Sequence, residues 1–291
     1  MNYKWDSSKN NLNINKTKKK NKSSKKKIKK MGSIINKIVF MPQLKVHDQD
    51  SENDIFLPTS HGSQIQVKTI IKNENYLYLI ISHGNAEDVY GVYDWALKSL
   101  SHYVNVNIIM YEYTGYGTNN QETFTCSEQY CYNDIDAVYK YLTEQLNVPP
   151  NRIVAYGRSV GSGPSCYLAE KQKIRGLIIN CGFLSVFRVI FKFRFTLPGD
   201  LFPNIDRMKN IECPVCVFHS IKDEIIPFYH GKELYKASKN KFQPLFIDGT
   251  SHNNIDRLSD DVYQHMQKFF KFLDSEYQEV KNEDEDINED M

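Results

Sequence analysis

Six short apolar runs separated by stretches of helical period constrain this chain more than any other feature. "YLYLIIS" (76 to 82), "VNIIMYEY" (106 to 113), "RIVAYG" (152 to 157), "GLIINCG" (176 to 182), "CPVCVFHS" (213 to 220) and "PLFID" (244 to 248) are rich in Val, Ile and aromatic residues, and most run into Gly, Ser or His. Runs of this kind fit strands buried on both faces. Between them, Ile135, Val138, Tyr139, Leu142 and Leu146 follow the i, i+3, i+4, i+7 spacing of an amphipathic helix, and Val262, Met266, Phe269, Phe270 and Leu273 do much the same. From residue 65 onward, strand and helix alternate. That alternation predicts the α/β class, with a mostly parallel central sheet carrying helices on both faces.

In such sheets, sites form beyond the carboxyl ends of the strands. The run at 76 to 82 ends at His83-Gly84-Asn85-Ala86, and the run ending at Tyr156 continues as Gly157-Arg158-Ser159-Val160-Gly161. Asp223 follows the run at 213 to 220, and His252 follows "PLFID". All four stretches are therefore expected on one sheet edge. A glycine on each side of Ser159 suits a sharp strand-to-helix turn, because Gly157 and Gly161 lack the Cβ atoms that would collide across it. Pro164 then falls in the first helical turn, where its missing N–H costs little.

A serine hydroxyl is a poor nucleophile near neutral pH and needs an imidazole base oriented by a carboxylate. The order Ser159, Asp223, His252 is the one found in α/β-hydrolases. Glu224 is the competing acid if the loop takes a different register. Backbone N–H groups of the "SHGNA" stretch, Asn85 with Ala86 as the alternative, are expected to join that of Val160 in holding an oxyanion. His83 reads as structural. This chemistry calls for no cofactor and no metal, and the pair Cys213/Cys216 reads as structural thiols, lacking a second such pair with matching histidines.

Charge sets the domain boundaries. Residues 1 to 30 hold twelve lysines against Asp6, and residues 274 to 291 hold nine carboxylates against Lys281. The net charge of +2 thus leaves 2 − 11 + 8 = −1 for residues 31 to 273. The reading is a disordered polybasic tail (1 to 30), one domain (31 to 273) and a disordered acidic tail (274 to 291). The basic balance belongs to a tail, so no nucleic-acid partner is expected. No run approaches the length of a membrane span and no secretory core stands at the N-terminus, which points to a cytoplasmic protein. Ten lysines in 16 to 30 offer attraction to an anionic membrane, alongside the alternatives of a plain solvated tail or a nuclear signal.

"SHGNAEDVY", "YEYTGYG", "GRSVGSGPSCYLA", "LFPNI", "KDEIIPFYHGKELY" and "GTSHNNI" together resemble the α/β-hydrolase domain-containing protein 17 group, membrane-associated palmitoyl-protein thioesterases, across residues 31 to 273. The resemblance implies an α/β-hydrolase fold with a short cap at about 183 to 210, and triad roles for Ser159, Asp223 and His252. It implies S-acylated proteins or acyl lipids as substrates, at the cytosolic face of membranes. Cap residues Phe183, Phe187 and Phe191, with Phe193, Phe195, Arg188, Lys192 and Arg194, are expected to form an acyl-binding wall or a small packed cap. Departures are a lack of any cysteine before Cys126, where animal members carry an acylated cluster, Glu112 where relatives have aspartate, and Thr118-Asn119-Asn120 after "GYG". Some relatives begin with Met-Gly where Met31-Gly32 stands, so Gly32 is a candidate myristoylation site, with Asn36 departing from the preferred Ser/Thr. The expected reaction is cleavage of fatty-acyl thioesters. A lipid or carboxyl-ester hydrolase with the same triad and a non-catalytic membrane scaffold are the alternatives.

Overall fold

Eight strands form one sheet in the order β1-β2-β4-β3-β5-β6-β7-β8. They are β1 (Ile55–Pro58), β2 (Gln64–Ile70), β3 (Tyr78–Ser82), β4 (Asn107–Tyr111), β5 (Ile153–Arg158), β6 (Gly176–Asn180), β7 (Val215–Ser220) and β8 (Leu245–Ile247). The β1–β2 and β2–β4 pairs are antiparallel and every other pair is parallel. This computed structural model describes residues 39–42, 54–117, 124–191, 195–255 and 260–289. The chain divides into two units, Met1–Met41 and Pro42–Met291, and only residues 39–41 of the first are among those described. The lysine-rich segment and Gly32 lie outside the described residues, as do Lys192, Phe193 and Arg194.

Each of the six apolar runs contains a strand of the sheet, and all residues of β3, β4, β6 and β7 are buried. Strands β1 and β2 lie before the first of the six runs and are not anticipated from the sequence; in β1 Leu57 alone is buried. This strand is held instead by its hairpin, closed by Thr59 N–H donating to Ser63 O at 2.9 Å and by Gly62 at φ +88°.

Helix α1 (Val89–Trp95) runs on through a π turn at Ala96–Leu100, and α7 spans Asp260–Glu289. Val89, Val92 and Ala96 pack with Val262, Met266, Phe269 and Leu273 over one sheet face, against Leu79, Ile81, Val154, Tyr156 and Phe218. In α2 (Glu128–Lys140), α3 (Ser162–Lys171), α5 (Asn204–Met208) and α6 (Tyr229–Ala237), each helix packs on the next and covers the other face. Helix α4 (Val186–Phe191) and α5 form the short insertion between β6 and β7. The core of α7 follows the periodicity read from the sequence, with Val262, Met266, Phe269, Phe270 and Leu273 buried. Of the α2 stripe, Ile135, Val138 and Leu142, the last in the turn after the helix, are buried, Tyr139 is half-buried, and Leu146 is exposed where the helix has ended. Helix α7 continues beyond residue 273, where the sequence reading begins a disordered tail. Residues 274 to 289 contain neither Pro nor Gly, so nothing in them interrupts helix once α7 is nucleated.

Register fixes where the functional loops emerge. Ser82 pairs with Gly157, Arg158 with Asn180, Asn180 with Phe218, and Ser220 with Ile247. The segments beginning at His83, Ser159, Cys181, Ile221 and Asp248 therefore leave the sheet from one edge.

Candidate active site

Strand β5 turns into α3 through a single tight turn at Ser159–Gly161. Ser159 takes φ +51°, a left-handed conformation costing a non-glycine residue about 1–3 kcal/mol. The turn is forced by close approach: a Cβ on Gly157 would stand 2.4 Å from Gly161 O, and one on Gly161 would stand 2.0 Å from Ser82 O. Ser162 Oγ donates to Ser159 O at 2.6 Å and fixes the turn from the helix side.

The structure brings Ser159, His252 and Asp223 together. His252 Nε2 lies 3.1 Å from Ser159 Oγ, and His252 Nδ1 lies 2.7 Å from Asp223 Oδ2. A carboxylate accepts from Nδ1–H, so the remaining lone pair of the ring sits on Nε2, facing the hydroxyl. Asp223 Oδ1 accepts from Ile225 N–H (3.0 Å) and Ile226 N–H (2.7 Å). Burial pushes the Asp223 carboxyl up, but the hydrogen bond and charge of His252, the Ile226 N–H and His219 outweigh it and hold it below the usual aspartate range. Glu224 does not touch the ring. Its Oε2 accepts the main-chain N–H of His252 at 3.2 Å, so the two neighbouring acids hold different parts of one residue.

Behind Asp223, buried His219 donates from Nε2 to Ile226 O at 2.8 Å, and burial lowers its pKa. His230, pushed down to about 4 chiefly by burial, accepts from Leu184 N–H at 3.1 Å and so ties α6 to the start of the cap. Neither histidine stands out in the sequence: His219 lies inside the apolar run 213 to 220, which reads only as core, and His230, between Tyr229 and Gly231-Lys232, has no catalytic motif around it.

The loop after β3 is tied from several directions. His83 is buried, with Nδ1 donating to Gly84 O (2.8 Å) and Nε2 to Glu112 Oε1 (3.0 Å). Burial lowers its pKa, but Glu112, Gly84 O and Glu87 more than offset that and raise it. Two acceptors on one imidazole describe an imidazolium. Glu112 also accepts from Val89 N–H at 3.1 Å, which joins this loop to the start of α1. Asn85 is half-buried, with Oδ1 accepting from Tyr116 OH at 2.5 Å, while Ala86 is exposed. Gly84 N–H is taken by Glu87 Oε2 at 2.5 Å. The N–H groups of Asn85, Ala86 and Val160 thus lie on the two loops flanking the Ser82–Gly157 pair.

In the cap, Phe183 is buried, its ring 6.2 Å from that of Phe202, which fills the space beside Gly163. Phe187 is half-buried and meets the exposed Phe191 edge-on at 5.8 Å. Phe183 therefore belongs to the packing under the cap, whereas Phe187 and Phe191 lie toward its surface. Tyr229 OH donates to Arg188 O at 3.3 Å, which sets the cap beside the Asp223 loop.

Cys181 adds a feature the sequence does not signal. It directly follows β6 at φ +47°, and one donor atom from each of Cys181, Asp223 and His252 lies within 4.8 Å of the others. Thiolate, carboxylate and imidazole suit a borderline metal such as zinc. A metal there would compete for the carboxylate and imidazole that the Ser159–His252–Asp223 path uses. All six cysteines are thiols; burial raises Cys213 to about 12 and places Cys216 well above its usual value. A cavity of about 130 Å³ is lined by His83, Ala86, Glu87, Trp95, Arg158 and Asn253 among others; it thus borders the loop after β3 and the neighbours of Ser159 and His252, although Ser159, Asp223 and His252 are not in its lining.

No protein-family model matches the chain. It is 31% identical over 236 residues to alpha/beta hydrolase domain-containing protein 17B of Xenopus tropicalis, covering 80% of this chain and 79% of that protein. Identity to the 17C protein of Mus musculus is 33% over 199 residues, covering 68% and 60%, and to the aho-3 protein of Caenorhabditis elegans 31% over 208 residues, covering 71% and 60%. The chain thus spans less than two thirds of the mouse and worm relatives. Among solved structures, the esterase RhEst1 from Rhodococcus sp. ECU1013 superposes with a TM-score of 0.62 at 16% identity, covering 76% of this chain and 99% of that one. Esterase Pf2001 from Pyrococcus furiosus gives 0.64 at 15%, covering 79% and 98%. At these identities the likeness is one of fold.

Proposed function

Because the chain belongs to the α/β-hydrolase domain-containing protein 17 family, we propose that it is a serine hydrolase cleaving fatty-acyl thioesters on S-acylated proteins. The observation that carries this reading is the continuous path from Asp223 through His252 to Ser159 at the strained turn. Ser159 Oγ attacks the acyl carbonyl carbon as His252 Nε2 takes its proton, and Asp223 steadies the ring and the charge it acquires. The carbonyl oxygen becomes an oxyanion held by the N–H of Val160 and that of Asn85 or Ala86. Collapse breaks the C–S bond, expels the cysteine sulfur with the proton from His252, and leaves an acyl ester on Ser159. Water, deprotonated by the same imidazole, attacks that ester, and the fatty acid departs as the proton returns to Ser159.

A thiol with a pKa of about 8.5 leaves readily, so selectivity falls to the acyl chain, each buried methylene contributing about 0.8 kcal/mol. Exposed Ile190, Phe191 and Phe195 of the cap, with Ile221 and Ile225 of the Asp223 loop, favour substrates presented at a lipid surface. They equally suit an acyl lipid, which makes a lipid-ester hydrolase the second reading. Among the described residues no helix is long and apolar enough to cross a membrane, so contact with the bilayer is proposed to be peripheral. The test is hydrolysis by purified full-length protein of an S-palmitoyl peptide, lysophosphatidylcholine, a monoacylglycerol and p-nitrophenyl butyrate. Preference for the S-acyl peptide supports the thioesterase. Preference for either lipid shifts the assignment to the second reading, and inertness toward every substrate and toward a fluorophosphonate overturns both.

A further inference from the structure

We infer that Arg158, the residue just before the nucleophile, is a positioning residue that clamps the oxyanion loop to the histidine loop. The inference rests on the triad reading above. Arg158 Nη1 donates to Glu87 Oε1 at 2.6 Å and Nη2 donates to the main-chain O of His252 at 3.0 Å. The second oxygen of Glu87 accepts Gly84 N–H at 2.5 Å. One planar guanidinium on the nucleophile turn thereby joins the loop that carries Asn85 and Ala86 to the loop that carries the base. Gly84 is shaped around the clamp: a Cβ there would stand 2.8 Å from both Arg158 Nη1 and Glu87 Oε2.

The main chain of His252 is consequently held at both polar atoms, its N–H by Glu224 and its carbonyl by Arg158. This matters for the chemistry because the oxyanion and the imidazolium form in the same step. Their holders come from separate loops, and a misplacement of about 1 Å between reacting groups costs on the order of a hundredfold. The side chains of Arg158 and Glu87 are only 11% and 27% exposed, so water screens the pair less than an ordinary surface pair. Lysine cannot replace the arginine, since a single ammonium does not reproduce a rigid fork reaching two acceptors on different loops.

The test is steady-state kinetics of Arg158→Lys, Glu87→Gln and the double variant on p-nitrophenyl butyrate, with thermal unfolding of each and Ser159→Ala alongside. Arg158→Lys is expected to lower kcat by about ten- to a hundredfold with KM within about twofold. Glu87→Gln should fall in the same range, and the double variant should be no worse than the poorer single, since both act through one clamp. Wild-type kcat in Arg158→Lys overturns the inference. So does a loss that parallels a fall in Tm and disappears at a temperature where all variants are fully folded. If Arg158→Lys does not fold, Glu87→Gln carries the same two criteria. Retained probe labelling and activity in Ser159→Ala instead overturn the triad reading beneath it.

Discussion

The Ser159 hydroxyl lies 3.1 Å from Nε2 of His252, a residue 93 positions further along the chain. Proximity across that separation comes from the sheet: β5 and β8 end on the same edge, and the serine is lifted off that edge by a left-handed turn.

Ser159→Ala is expected to lower turnover by about 10⁴- to 10⁶-fold and to abolish fluorophosphonate labelling, with His252→Ala similar. Asp223→Asn should cost about 10⁴-fold, because an amide cannot hold the ring in the required tautomer. Glu224→Gln should be the mildest of the four, since the carboxamide oxygen still accepts the His252 N–H. An ordering with Glu224→Gln worse than Asp223→Asn would exchange the two acids' roles.

A pH dependence of stability is expected from Asp134, outside the site. Burial raises its pKa from 3.8 to about 7, against two hydrogen bonds from Thr114 that lower it. The folded state therefore binds the Asp134 proton more tightly than the unfolded state. Its contribution is fully present below about pH 3.8 and is lost as pH rises toward 7, at up to about 1.4 kcal/mol per pH unit. Asp134→Asn should flatten the decline of ΔG between pH 5 and pH 7 in urea unfolding. An unchanged slope in the variant would show that Asp134 does not titrate in this range.

Replacing Phe187 and Phe191 together by Asp should abolish cleavage of long-chain substrates while sparing p-nitrophenyl butyrate. The ring pair sits at the cap surface, so its loss removes apolar contact for an acyl chain with little effect on the core. Phe183→Asp should instead lose both activities through misfolding, because that ring is buried against Phe202. Parallel loss of long- and short-chain activity in the double variant would assign Phe187 and Phe191 to packing as well.

Zinc ions are expected to inhibit, by bridging Cys181, Asp223 and His252 and occupying the imidazole. Inhibition should reverse with chelator and require a higher zinc concentration in Cys181→Ser. Identical dose–response curves for the two proteins would place the inhibitory ion elsewhere.

The order of Ser159, Asp223 and His252 at strand ends is legible in the sequence because β5, β7 and β8 announce themselves as apolar runs, and a parallel sheet puts their carboxyl ends on one edge. The assignment of acid between Asp223 and Glu224 is not legible: adjacent carboxylates differ only in loop geometry, which places one on the ring and the other on the main chain. Arg158 is hidden for another reason. Its partners lie 71 and 94 residues away, and the variable position of a G-x-S-x-G motif carries no periodic signal. Phe183 is a different case, since phenylalanines read together as a wall or a small packed cap are divided by the cap into a buried ring and two outer ones. The hairpin strands β1 and β2 escape notice because Ile55–Pro58 is short and Gln64–Ile70 interleaves Gln, Lys and Thr with its apolar residues, so neither forms the apolar run that marks β3 to β8.

The histidine is carried beyond β8, an edge strand of three half-buried residues, Leu245–Ile247. An edge segment without a fully buried residue is expected to open before the rest of the sheet, at a free energy below that of the whole molecule. Heat or denaturant should therefore silence the enzyme while the β3–β7 core still stands intact. Loss of turnover would then report fraying of one border of the sheet, and cooling or dilution would restore it without the chain having refolded.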